Sequence, residues 1–240
     1  MTASTQTNQQ IWTALRDCIF IIGTLLVVKS LLLEIEPLWS YAGPISLLFT
    51  LGIATWCLKQ SNVSWSLNGN DEVISWKRLA TLTVIALVVT IAVGILAQSL
   101  AVSFIGTPSE AIQAIDERFQ GRFANLPGNF PVYLFWLITA WVIGGLTEEI
   151  LFRKILFVRF EMLFSKIPAT TFLAISAQAM LFGQQHYYYQ GAAGWVATGV
   201  IGFISGLLYL VFKRNLWPLI LSHGISNSIG LTLLYFGVTG

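Results

Sequence analysis

The chain has 240 residues, 55% of them hydrophobic and only 10% charged, with a net charge of +2. A soluble domain carries about 25% charged residues, so this chain cannot cover a water-facing surface, and its mean hydropathy of +0.73 agrees. A soluble enzyme, a secreted disulfide domain, a nucleic-acid binder and a disordered chain are all excluded. The longest stretches without Asp, Glu, Lys or Arg are 37–58, 79–109, 123–147, 167–212 and 215–240, of 22, 31, 25, 46 and 26 residues. A helix needs about 20 mostly apolar residues to cross a bilayer, and the 46-residue stretch can hold two. The pattern predicts an all-α, polytopic transmembrane bundle.

Seven apolar segments follow in chain order: 13–33, 39–59, 79–105, 131–152 with a helical continuation to about 164, 169–186, 193–212 and 216–237. The first is the weakest, because Asp17 and Lys29 interrupt it. Before it, MTASTQTNQQ carries no positive charge and no small-residue cleavage pattern follows, so the first segment reads as a retained anchor rather than a signal peptide. In the loop 60–77, Val73, Ile74 and Trp76 are expected at the membrane surface. The loop 106–130 is the longest polar connection, and Asp116, Glu117, Arg118 and Arg122 suggest a short surface helix there. This divides the chain into N-terminal helices over 1–106, a connecting loop over 107–130 and a four-helix core over 131–240. Cys18 and Cys57 lie in apolar context and read as buried small residues, not a disulfide. The aromatic run Tyr187–Tyr189 fits an interfacial belt, and Gly202 with Gly206 reads as close helix packing.

With the N-terminus in the cytoplasm, ten basic residues fall on cytoplasmic flanks: Arg16, Lys59, Lys77, Arg78, Arg153, Lys154, Arg159, Lys166, Lys213 and Arg214. Only Arg118 and Arg122 fall outside. This bias predicts an N-terminus in the cytoplasm, in a bacterial plasma membrane.

Ionisable groups within a bilayer cost about 3 kcal/mol or more and so need a reason. Glu148 and Glu149 end WVIGGLTEE, His186 ends MLFGQQH, and His223 and Asn227 lie in LWPLILSHGISNSIG. Counted from a turn near Lys166–Ile167, Glu148 lies 18 or 19 residues back and His186 lies 19 or 20 forward. At about 1.5 Å per residue both reach the same depth, about 28 Å from the turn. If the last turns of the fourth helix project into the cytoplasm, as Arg153, Lys154, Arg159 and Glu161 suggest, the residues share a layer with His223 in the inner half of the membrane. Glu149 and Arg153 are spaced to pair on one helix face, while Glu148 points about 100° away, toward the face of Phe152. His223 and Asn227 project together, and Phe182, one turn before His186, can wall off its imidazole. Singly, each residue has a structural reading: an ion pair, a packed histidine, an interhelical amide. Together they point to a functional site.

At these residues the chain resembles the CPBP family of intramembrane proteases, which includes the CAAX prenyl endopeptidases and bacterial proteins linked to bacteriocin self-immunity. The resemblance rests on Glu148-Glu149-x-x-x-Arg153, Phe182-x-x-x-His186 and His223-x-x-x-Asn227 in this order, and covers about 131–235. It implies an endopeptidase in which Glu148 is general base, His186 holds the same water, and His223 and Asn227 stabilise the oxyanion. Glu149 and Arg153 would lock the helix and aim Glu148. No cofactor is favoured; the alternative is zinc held by Glu148, His186 and His223. The implied substrate is a prenylated, leader-type or membrane-protein peptide at the inner leaflet. A non-catalytic scaffold or immunity protein of the same fold is the second reading. A proton-coupled transporter, third, expects broken helices or repeated halves, and the sequence contains neither.

Overall fold

In the computed structural model, residues 3–61, 66–69, 74–105, 113, 117 and 120–238 are described, with side chains from residue 8 onward. The expected surface helix of 106–130 and Val73 lie largely or wholly outside them. The described chain is all-helical: α1 (Ala3–Leu33), α2 (Ala42–Gln60), α3 (Trp76–Ile105), α4 (Phe130–Leu163), α5 (Thr170–Val211) and α6 (Trp217–Tyr235). A 3₁₀ turn, Glu36–Tyr41, joins α1 to α2.

Among the described residues, five helices are long and apolar enough to cross a membrane, namely α1 to α5, with the 3₁₀ turn counted into the second. Their length and apolar composition make this an integral membrane protein. α3 shows why the composition is so apolar: Val84, Val88, Ile91 and Ile95 lie exposed along one flank. That stripe would be unstable in water and is at home in hydrocarbon. α6 is not among the five, because His223, Ser226, Asn227 and Ser228 interrupt its apolar run.

α5 and α6 together reconcile five spans with seven segments, because α5 holds two of the segments and α6 is the seventh. At Gly191 the backbone takes φ 64°, ψ −163°, a conformation reserved for glycine, and the two arms double back on each other. The Gln178 amide donates to the Gly202 carbonyl at 2.9 Å. A Cβ on Gly183 would strike the Trp195 carbonyl, one on Gly202 the Phe182 ring, and one on Gly206 the Ile175 side chain. The glycine pair at 202 and 206 therefore allows close packing, as its spacing suggests.

The two charges that weaken the first segment in sequence turn out to fasten it. Asp17 is fully buried and pairs with Arg159 of α4 at 2.9 Å. Lys29 donates to the Gln185 side chain of α5 at 2.8 Å. Arg159 and Phe160 are buried, with α1 packed along the end of α4, so that end is not a free projection into water. Lys166 bonds Asn8, Arg16 reaches Ser61 at 3.4 Å, and Arg214 pairs with Glu161 at 2.7 Å, which gathers these basic residues at one end of the bundle. At the other end Tyr41 stacks on Trp136, and the Gly128 amide donates to the Tyr235 carbonyl.

Candidate active site

α4 and α6 run antiparallel through the middle of the bundle, and a Gly144–Gly145 pair sets how near they come. A Cβ on Gly145 would lie 3.1 Å from the Ile220 carbonyl, and one on Gly144 only 2.5 Å from the Asn227 side-chain nitrogen. From Ala140 to Glu148 and from Ile150 to Leu156 α4 is wound as a π-helix, where the sequence suggested an ordinary α-helix. The Thr147 hydroxyl accordingly donates to the carbonyl five residues back, Val142, at 2.8 Å. Such π-turns cluster at functional sites; Glu148 ends the first of them and Glu149 stands between the two.

The two glutamates part company as the sequence suggested. Glu149 is buried, and its Oε2 lies 3.3 Å from Arg153 Nε. Arg153, 1% exposed, also lies over Phe182, its guanidinium carbon 4.2 Å from the ring centroid. The other Glu149 oxygen accepts from His223 Nδ1 at 2.9 Å, a bond that the spacing within one helix could not reveal. Glu148 turns instead to a cavity, with Oε2 3.9 Å from His223 Nε2.

His186 reaches the same cavity from α5. Its Nδ1 sits 2.9 Å from the Phe182 carbonyl, which can only accept, so Nδ1 carries the proton and Nε2 keeps its lone pair. Phe182 walls the site as expected: its ring lies 4.9 Å from the His186 ring, 6.5 Å from that of His223 and 5.2 Å from Phe152. Glu148, His186 and Asn227 thus line one cavity of about 330 Å³. A second, of about 220 Å³, is lined by Glu149, Arg153 and His223 and shares His186 and Asn227 with the first.

Two sequence expectations change here. The larger cavity is walled by Gly43, Trp136, Tyr188 and Leu234, so it extends from Glu148 toward the end opposite Arg16 and Lys166 rather than lying in the half nearest them. The reason is that His186 stands five residues before the Gly191 turn, and that α4 stays packed to its end. Of the expected aromatic belt, only Tyr187 is largely exposed, while Tyr188 and Tyr189 line the cavity. Arg122, Gln185, Tyr188, Tyr189 and Gln190 are among the cavity residues missed in sequence.

Glu148, His186 and His223 are the alternative zinc set. Among the described residues no group of three His, Cys, Asp or Glu side chains is placed to hold a metal ion. His223 Nδ1 and His186 Nδ1 bond Glu149 and the Phe182 carbonyl, so only Nε2 of each ring is left for a ligand.

Residues 130–229, which span α4, α5 and most of α6, match the family model described as type II CAAX prenyl endopeptidase Rce1-like. The resemblance carried by the three motifs is borne out over these helices. No curated protein and no solved structure matches the chain.

Proposed function

We propose that this protein is an intramembrane endopeptidase in which Glu148 and His186 activate water for attack on a peptide bond. The observation that carries the reading is the shared cavity: a carboxylate, a histidine with a free Nε2 and the Asn227 amide face one space within apolar helices. The family match supports a CAAX-type membrane protease and a membrane-associated peptide substrate.

In this reading water is held by His186 Nε2 and loses a proton to Glu148 as its oxygen bonds to the peptide carbonyl carbon. The oxyanion accepts from the Asn227 amide and from the Nε2–H of protonated His223, whose Nδ1 is held by Glu149. The C–N bond then breaks, and Glu148 returns its proton to the leaving nitrogen, giving a new carboxylic acid, which ionises to solvent, and a new amine. Glu149 and Arg153 act through others: Glu149 aims His223, and Arg153 neutralises Glu149. No step needs a metal.

The positive-inside bias supports a cytoplasmic side for the basic, N-terminal end, and we take the membrane to be a bacterial plasma membrane. In that orientation the larger cavity lies in the half of the bilayer remote from the cytoplasm, and the peptide is reached from within the membrane.

The second reading, a scaffold or immunity protein of the same fold, needs the shape of the cavity but not its chemistry. Alanine at both His186 and His223 separates the two. Loss of processing of a membrane-anchored reporter peptide, with the protein still folded, supports the protease. Full biological activity in the double variant would establish the scaffold.

A further inference from the structure

The smaller cavity, of about 220 Å³, meets the larger one at His186 and Asn227 and extends the other way. Ser205 stands six residues before the end of α5 and Leu219 is the third residue of α6, so its wall continues toward the basic end of the bundle. The larger cavity instead reaches Gly43 and Leu234. His186 therefore stands between two spaces that leave it in opposite directions.

Five hydroxyls line the smaller space: Thr90 from α3, Thr198 and Ser205 from the second arm of α5, and Ser222 and Ser226 from α6. Those of Thr90, Thr198 and Ser222 donate to carbonyls of their own helices, at 2.7, 2.6 and 3.0 Å, and their oxygens stay able to accept. Those of Ser205 and Ser226 have no hydrogen-bond partner among the described residues, although Ser205 is only 5% exposed. A hydroxyl left unsatisfied inside a membrane protein costs free energy that neither lipid nor apolar packing recovers. Water recovers it, and roomy polar cavities hold water where apolar ones stay dry. At about 30 Å³ per molecule in the liquid, this space takes several.

Hydrolysis consumes one water for each peptide bond, and a peptide seated in the larger cavity blocks that route to Glu148. We propose that the smaller cavity is a water store, which supplies the hydrolytic site past His186 and Asn227 while the peptide occupies the larger cavity. The inference rests on the hydrolase reading and adds to it the source of the second reactant.

The test uses full-length Glu148→Gln protein in nanodiscs, with Cys18 and Cys57 replaced by alanine and Ser205→Cys added. Methanethiosulfonate ethylammonium reacts with thiolates, which form in water and not in hydrocarbon. Ser205→Cys should be modified, and no more slowly when a dansylated S-farnesyl-cysteinyl tetrapeptide saturates the protein. Met180→Cys, at a residue 64% exposed on the outer surface of α5, is the unreactive control. No modification of Ser205→Cys means a dry cavity and overturns the store. Modification that the peptide blocks makes the cavity part of the peptide's own path and overturns it as well.

Cleavage by protein that keeps Glu148 gives a second measure. Filling the space with Thr198→Leu or Ser205→Leu should slow single-turnover cleavage by about tenfold or more, because an attacking group displaced by about 1 Å loses on the order of 10²-fold. Peptide affinity should not change, and Ser205→Thr, which keeps the hydroxyl, should cleave at the unsubstituted rate. Undiminished cleavage by both leucine variants overturns the proposal. If Glu148→Gln cleaves as fast as the unsubstituted protein, the hydrolase reading falls, while cysteine modification still decides whether the cavity holds water.

Discussion

Glu148→Gln and Glu149→Gln remove the same charge from adjacent residues, and the structure expects them to fail in different ways. Glu149 is the carboxylate that pairs with Arg153 among the described residues, at 3.3 Å, and Arg153 is 1% exposed. Glutamine there keeps the volume and an oxygen to accept from His223, but strands a guanidinium inside the bundle. Removing one partner of a buried pair costs about 3–5 kcal/mol. For a chain of this length that is a fall in Tm of roughly 6–20 °C. Thermal unfolding in detergent, followed by tryptophan fluorescence, reads it directly. The double variant Glu149→Gln with Arg153→Met should recover much of the loss, because no charge is then stranded. A Tm for Glu149→Gln within the error of the unsubstituted protein would show that Arg153 finds water or another partner, and would refute the reasoning.

Further outcomes follow from particular contacts. Gly144→Ala puts a methyl 2.5 Å from the Asn227 amide; kcat should fall by up to about 10²-fold with KM unchanged if Asn227 faces the oxyanion, as steady-state cleavage of a reporter peptide would show. Gly191→Ala forces a side chain into a conformation reserved for glycine, at a cost of about 1–3 kcal/mol, visible as a lowered Tm. Asp17→Asn leaves Arg159 buried without its carboxylate and should lower Tm by a similar amount to Glu149→Gln; Arg159→Met added to it should restore most of the loss.

The residues that stood out in sequence were those whose chemistry contradicts their surroundings. Glu148, His186, His223 and Asn227 are polar groups in stretches otherwise fit for lipid, and the structure sets them around adjoining cavities. The partners of charged groups were legible only within one helix. Glu149–Arg153 follows from its spacing, whereas Glu149–His223 and Asp17–Arg159 join residues far apart in the chain. For the same reason Asp17 and Lys29 read as defects of the first segment when they are its attachments. Tyr188 and Tyr189 looked like an interfacial belt because an aromatic residue near a span end suits lipid and cavity equally well. The π-winding of α4 left no trace, since it is a choice of hydrogen-bond partner and not a pattern of residues. The reversal at Gly191 falls in the gap left between the segments 169–186 and 193–212, although nothing in the sequence marks its backbone conformation.

The most direct test of the central claim is the single-turnover rate of peptide cleavage by the chelator-treated protein in nanodiscs, with and without Glu148→Gln. General-base removal should lower the rate by about 10²-fold or more, while chelation leaves the unsubstituted protein as fast as before. Equal rates in the two proteins, or loss of activity on chelation alone, would contradict the account.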